Sequence, residues 1–292
     1  MSWLQLHINT TPENAPAAEQ AMQKHGALSI TLADNADQPI FEPELGETPL
    51  WNETRVTGLF NAGINTRETL EKILASCSDE EAACQWQILE DKDWEREWMS
   101  HYHPIQCGEN FWICPSWTAP PAPDAINLLL DPGLAFGTGT HPTTFMCLQW
   151  IATQQFHNSY VIDYGCGSGI LGIAALLHGA DKVIGTDIDP QALLATRENV
   201  KRNHLESDIF PVYFPNKCPE QKADFVLANI LAGPLVELAP TLCALLKPQG
   251  KICLSGILKT QEEAIVKAYE AYIDIDNIHQ DDQWICVTGH AR

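Results

Sequence analysis

Positive charge is scarce in this chain. Seventeen lysines and arginines face 38 aspartates and glutamates over 292 residues, a formal net charge of −21 at neutral pH. A field of that sign repels nucleic acid, whose affinity for proteins rests on phosphate contacts, so direct sequence-specific nucleic-acid binding is not expected. The same field suits a basic protein partner, although acidity that only keeps the chain in solution accounts for it equally well. No apolar run reaches the length of a membrane-crossing helix. The opening residues, Met1-Ser-Trp-Leu-Gln-Leu-His7, lack the basic stretch and long apolar run of a secretory leader. None of the ten cysteines stands in C-x-x-C spacing, and Cys114, Cys166, Cys243, Cys253 and Cys286 lie in apolar segments, where a free thiol packs as a small hydrophobe. These absences predict no membrane contact and a reducing, cytoplasmic setting. His101 and His103 with Cys107 have no further ligands clustered nearby, so no metal site is expected.

An apolar content of 45% over this length supports one large domain, or a medium one with a small one. Residues 3–8 alternate apolar and polar as a strand does, 16–24 read as a helix, and 27–32 as a second strand. After a loop rich in proline, acid and asparagine (33–49) come a strand at 55–61, a helix at 66–75 and a strand at 85–89. The order β-α-β-β-α-β predicts a small ferredoxin-like α+β domain over 1–90. A charged stretch follows in which Trp94 and Trp98, four apart, share one helix face, giving a linker helix over 91–104. Residues 105–114 read as a short hairpin and 115–123 as a proline-rich loop.

The rest of the chain, 105–292, alternates strand and helix. Strands are expected at 160–162, 182–186, 209–214, 225–228, 251–255 and 284–288, and helices at 142–155, 170–178, 190–203, 234–246 and 261–272. This is the pattern of an α/β domain: an open, mostly parallel sheet with helices on both faces, whose ligands sit at the carboxyl ends of the strands. Asp163, Asp187 and Asn229 all fall at such ends.

Three stretches carry chemistry. In Asp163-Tyr-Gly165-Cys-Gly167-Ser-Gly169 a strand passes through a glycine turn into a helix, where backbone can approach a ligand closely. About twenty residues on, Asp187 ends a second strand, where a carboxylate can accept hydrogen bonds from both ribose hydroxyls of a nucleotide-like cofactor. The run Gly167-Ser-Gly169-Ile-Leu-Gly172 also matches the dinucleotide pattern G-x-G-x-x-G. Asp163, placed before the first glycine, would repel a pyrophosphate but can help hold a cationic ammonium group, which favours S-adenosylmethionine (SAM) over NAD. In the second stretch, Leu128 to Thr144, a glycine loop with Phe136 and Gly139 can fold over a ligand. There Thr143 or Thr144 either binds a carboxylate at the helix start or merely satisfies it. In the third, Asn229 either orients an amine in a cleft or is an ordinary turn residue. No aromatic ring follows it (Ile230-Leu-Ala232) to stack on a flipped base, which argues against base methylation.

Together, the run Asp131 to Thr144, Asp163-x-Gly-Cys-Gly-Ser-Gly-Ile-Leu, Asp187-Ile-Asp-Pro, Asn229-Ile-Leu-Ala-x-Pro-Leu, Leu254-Ser-Gly-Ile and Trp94-Glu-Arg-Glu-Trp98 resemble the PrmA family. These are bacterial methyltransferases of large-subunit ribosomal protein L-eleven (L11). The resemblance runs from about Trp94 to the end, with less specific motifs before it. It implies an amino-terminal ferredoxin-like domain that recognises L11, a linker helix and a Rossmann-like SAM domain. It also implies methylation, up to trimethylation, of lysine side chains and the α-amino group of that substrate. Thr144, Gly165, Asp187 and Asn229 match its SAM contacts, and Asn229 would also orient the amine. Tyr164 stands where the family pattern has phenylalanine, a conservative difference. No acid in 211–219 is assigned to adenine. The chain is expected to act as a monomer, on L11 free or in the ribosome. Two other readings are an NAD-dependent oxidoreductase, separated from the first by cofactor binding, and a non-catalytic ribosome-associated module that keeps SAM as a structural ligand, separated from it by turnover.

Overall fold

Burial along the first strand follows its sequence alternation, with Leu6 and Ile8 wholly inside and Gln5 and His7 turned outward. The computed structural model describes residues 3–36, 38, 40, 47–77, 82–89, 102–131, 137 and 139–292. The chain divides into two compact units, Met1–Met99 and Ser100–Arg292, with the division inside the stretch read as a linker. Of the linker helix expected over 91–104, residues 91–101 (with Trp94 and Trp98) lie outside the described residues, and 102–104 are not helical.

The first unit runs β1 (Trp3–Thr10), α1 (Ala15–Lys24), β2 (Ser29–Asp34), β3 (Thr54–Asn61), α2 (Thr66–Ser76) and β4 (Ala83–Leu89). Its sheet has the order β2-β3-β1-β4 and is antiparallel throughout, the ferredoxin-like arrangement. Leu6, Ile8, Val56 and Phe60 on one sheet face pack with Ala18, Ala21 and Met22 of α1 and Ile73 of α2. The Asn65 side chain accepts the Glu68 N–H and so caps α2.

The second unit begins with β5 (Ile105–Gly108) and β6 (Phe111–Cys114), the expected hairpin, which β7 (Ile126–Leu129) joins in parallel. The main sheet follows: β8 (Tyr160–Tyr164), β9 (Lys182–Thr186), β10 (Val212–Tyr213), β11 (Ala223–Asn229), β12 (Leu246–Leu258), β13 (Ile273–Asp281) and β14 (Trp284–Ala291). Its order is β10-β9-β8-β11-β12-β14-β13, parallel from β10 through β12, with β14 antiparallel to both neighbours. Helices α3 (Pro142–Ala152), α4 (Ile170–Leu177) and α5 (Pro190–Arg202) cover one face, and α6 (Ala232–Ala244) and α7 (Glu262–Tyr269) the other. The middle strands are therefore buried on both sides, which is why β8 and β11 read as continuous apolar runs and not as alternating ones. The order reverses between β8 and β11, and the carboxyl ends flanking that reversal form the crevice where such sheets bind ligands.

Several elements differ from their sequence patterns: the strand expected over 251–255 runs from Leu246 to Leu258, and the helix expected over 261–272 is Glu262–Tyr269. The strand expected over 209–214 shrinks to Val212–Tyr213. Ile209 and Pro211 accept bonds from Val183 and Gly185 of β9, but proline has no N–H with which to extend the ladder. Residues 273–281 form a full strand that the sequence did not signal, because a bulge between Ile275 and Asn277 breaks the alternation of Ile273, Ile275 and Ile278. Among the described residues no helix is long and apolar enough to cross a membrane.

Asn203, which follows α5, ties β7 of the small sheet to that helix. Its Oδ1 accepts the Leu129 N–H and its Nδ2 donates to the Leu129 carbonyl, both at 2.8 Å. Asn203→Ala should lower unfolding free energy by roughly 1–3 kcal/mol, since a backbone donor and acceptor both lose a partner. A urea midpoint for the second unit that does not move would refute this stitching role.

Candidate active site at the carboxyl edge of the sheet

The glycine turn after β8 is held in shape from three sides. Its backbone bonds to β9 through Gly165 and Cys166 N–H, both donated to the Thr186 carbonyl at 2.7 and 2.9 Å. The Asp187 carboxylate accepts Gly167 N–H and Asp189 N–H, each at 2.9 Å, tying the turn to the start of α5. From α5 itself, Thr196 Oγ1 donates to the Gly167 carbonyl (3.0 Å) and Asn199 Nδ2 to the Ser168 carbonyl (2.8 Å). Thr196 and Asn199 were not read from the sequence. Their signal was two polar residues on the inward face of an amphipathic helix, legible only once that helix is known to lie over the turn. Gly165 has φ +77°, and a Cβ there would sit 2.2 Å from Ile230 Cγ2, so no side chain fits.

Asp163 ends β8 beneath this turn, only 1% exposed. Its Oδ2 accepts Gly172 N–H in the first turn of α4 at 2.9 Å, and its Oδ1 is buried without a hydrogen-bond partner in the protein. Burial pushes its carboxyl up to about 7, the Gly172 bond opposes that rise, and the neighbouring Asp187 charge adds to it. A buried, half-satisfied carboxylate next to a second carboxylate is arranged for a cation, as an ammonium group would supply.

Across the crevice the structure brings together two residues 85 positions apart: Asn229 Nδ2, at the end of β11, donates to Thr144 Oγ1 at 3.1 Å. In this arrangement Asn229 Oδ1 is buried without a partner. The helix start is satisfied elsewhere: His141 Nδ1 accepts the Thr143 N–H and also bonds the Thr143 hydroxyl at 2.8 Å. Of the two threonines, then, Thr143 turns to the cap and Thr144 to Asn229. The preceding loop is tied to the glycine turn by Ser168 Oγ, which donates to the Gly137 carbonyl at 2.7 Å. Gly139, with φ +86°, packs so tightly that a Cβ would meet Ile113 Cδ1 at 2.3 Å. Phe136 lies outside the described residues. Asp163, Gly165, Gly167, Asp187, Asn229 and Thr144 thus lie around the ends of β8, β9 and β11, where Asp163 Oδ1, Thr186 Oγ1 and Asn229 Oδ1 are buried without partners.

A family model described as ribosomal protein L11 methyltransferase (PrmA) matches residues 2–292. The chain belongs to this family. A relative from Teredinibacter turnerae, named ribosomal protein L11 methyltransferase, is 67% identical over 292 residues, covering all of this chain and 98% of that protein. One of the same name from Saccharophagus degradans is 63% identical over 289 residues, covering 99% of each. Among solved structures, a ribosomal protein L11 methylase from Lactobacillus delbrueckii subsp. bulgaricus superposes with a TM-score of 0.60 at 33% identity, covering 65% of this chain and the whole of that one.

The buried carboxyl has a consequence for stability. Because its folded pKa of about 7 lies above the ordinary carboxylate value, the folded ligand-free protein holds a proton that the unfolded chain releases. Between about pH 4 and pH 7 stability should therefore fall as pH rises, and level off above, by an amount on the order of 4 kcal/mol for this group. Asp163→Asn should flatten that dependence and raise the melting temperature at pH 7.5 more than at pH 4.5. Parallel pH profiles for the two proteins would refute it.

Proposed function

We propose that this chain is a SAM-dependent methyltransferase of ribosomal protein L11 that adds up to three methyl groups to lysine side-chain and N-terminal amines. The observation that carries the amine chemistry is the Asn229–Thr144 contact, which leaves one amide oxygen unpaired at the crevice. The whole-length family match supports the substrate. The runner-up from the G-x-G-x-x-G pattern, an NAD enzyme, gains nothing from Asp163, whose buried carboxylate opposes a pyrophosphate.

The residues fit the cofactor. Asp187 would accept from its ribose hydroxyls, the turn at Gly165 and Gly167 would lie against its backbone-facing side, and Asp163 would balance its ammonium group. Thr144 and the loop over 137–140 would cover it. When bound, SAM supplies an electrophilic methyl on a sulfonium sulfur. The protein's own task is to deliver a neutral amine. A lysine with a reference pKa of about 10.4 gives up its proton at neutral pH at a cost on the order of 4–5 kcal/mol. A partly dry crevice lowers that cost by disfavouring the ammonium form. Asn229 Oδ1 accepts an N–H of the amine and turns its lone pair into the crevice, so the rate comes from positioning and desolvation and not from a strong base. Repeated methylation needs only that an N–H remain for Oδ1, or that the alkylated amine be held by shape at the last step.

The unit over 1–90 recognises L11 in this reading, the segment over 91–104 links it to the SAM domain, and the enzyme works as a monomer in the cytoplasm. Its strong negative charge favours a basic protein over nucleic acid.

Unmethylated L11 incubated with the protein and SAM should gain successive methyl masses on lysines and the amino terminus, read by mass spectrometry beside a control without SAM. SAM binding without any mass gain would move the substrate elsewhere, and no SAM binding would revive the NAD reading. Asn229→Ala should lower kcat by about a hundredfold, a far larger loss than its loss of SAM affinity. Equal losses in turnover and SAM affinity would make Asn229 a cofactor ligand and nothing more.

A further inference from the structure

Below the crevice lies a cluster that methyl transfer does not use. Cys147 of α3, Cys253 of β12 and Cys286 of β14 come together in the core, 0%, 0% and 2% exposed. Cys253 Sγ is 3.7 Å from Cys147 Sγ and 3.5 Å from Cys286 Sγ, and all three sulfurs lie within 4.8 Å of one another. Residues 147, 253 and 286 are far apart in sequence, and only the packing of α3 onto two neighbouring strands assembles them. An atom bound to three sulfurs at about 2.3 Å holds them about 3.3–4.0 Å apart, from pyramidal to planar geometry, so the cluster needs only small adjustments to close around one centre.

Charge decides which centre. The cluster is embedded in an apolar core with Leu148, Ile151 and Leu227. Ser255 donates its hydroxyl to the Ile285 carbonyl at 3.1 Å and also lies against the Cys147 thiol, and His279, in register with Cys286 and near enough to act on it, is exposed on the edge strand, so among the described residues no charged side chain is buried with the sulfurs. Three thiolates on a divalent ion leave one negative charge in this core and on a cuprous ion two, and burying such charge unpaired is costly. Zinc also asks for a fourth donor. A trivalent, three-coordinate centre leaves no net charge.

We propose that Cys147, Cys253 and Cys286 form a three-thiol site for one thiophilic atom of the trivalent arsenic class. Arsenous acid is small and uncharged. Each thiol passes its proton to one hydroxyl, three As–S bonds form as three As–O bonds break, and three waters leave, with arsenic trivalent throughout.

Intact mass spectrometry of the full chain, reduced with a phosphine, exposed to arsenite and desalted, tests this. The expected product is one adduct whose added mass is an arsenic atom less three hydrogens. Cys147→Ala, Cys253→Ala and Cys286→Ala should each abolish it or convert it to a weaker adduct that retains a hydroxyl. Valine, apolar and close to cysteine in size, replaces alanine in any variant that loses its near-ultraviolet circular dichroism. No adduct on the unaltered protein, a hydroxyl-retaining adduct on it, or the same three-hydrogen adduct in the triple variant would overturn the proposal. So would stoichiometric zinc binding through these cysteines in place of arsenic.

Discussion

The Asp187 carboxylate is the joint on which the crevice depends. One oxygen holds the Gly167 N–H and the other the Asp189 N–H, so a single side chain sets the glycine turn after β8 and the helix start after β9 in one geometry. Charge-assisted bonds of this kind are stronger than neutral ones, and their effect here is to hold backbone in the left-handed conformations the turn requires. The turn in turn positions Ser168, which reaches the loop at Gly137, and brings Gly165 against Ile230, the residue after Asn229. Both walls of the crevice are thus referred to one carboxylate.

That arrangement has a cost. Asp163 is buried with one oxygen unpaired, beside the charge of Asp187, and Asn229 keeps an unpaired amide oxygen. A core built for stability alone would satisfy or remove such groups. They stand at the carboxyl edge of a parallel sheet, the place where such sheets bind ligands, and it is on this that the proposed binding of a cation at one and of an N–H donor at the other rests.

Much of the fold was legible because its signals are local. The alternation in β1, the continuous apolar runs of β8 and β11 and the proline-led helices follow from which faces must be buried, and each occupies a stretch short enough to read directly. The misses are equally physical. Pro211 interrupts a ladder that its apolar neighbours advertise, and the bulge after Ile275 shifts the parity of a strand whose isoleucines then no longer alternate. Thr143 and Thr144 could not be told apart, since both sit in the first turn of α3 and only the partners across space, His141 and Asn229, distinguish them.

By itself the sequence determined the two-part architecture, the glycine turn and the carboxylates that bracket it, because backbone conformation and burial pattern are set by neighbours along the chain. Only the tertiary structure decided which atoms remain unpaired. Asn229 meets Thr144 across 85 residues, Asn199 and Thr196 reach the turn from a helix that no motif connects to it, and Cys253 and Cys286, read as small apolar residues, come together with Cys147 in the core. Satisfaction of a hydrogen bond or a thiol is a property of distance in space, and sequence spacing carries no measure of it until the sheet order is fixed.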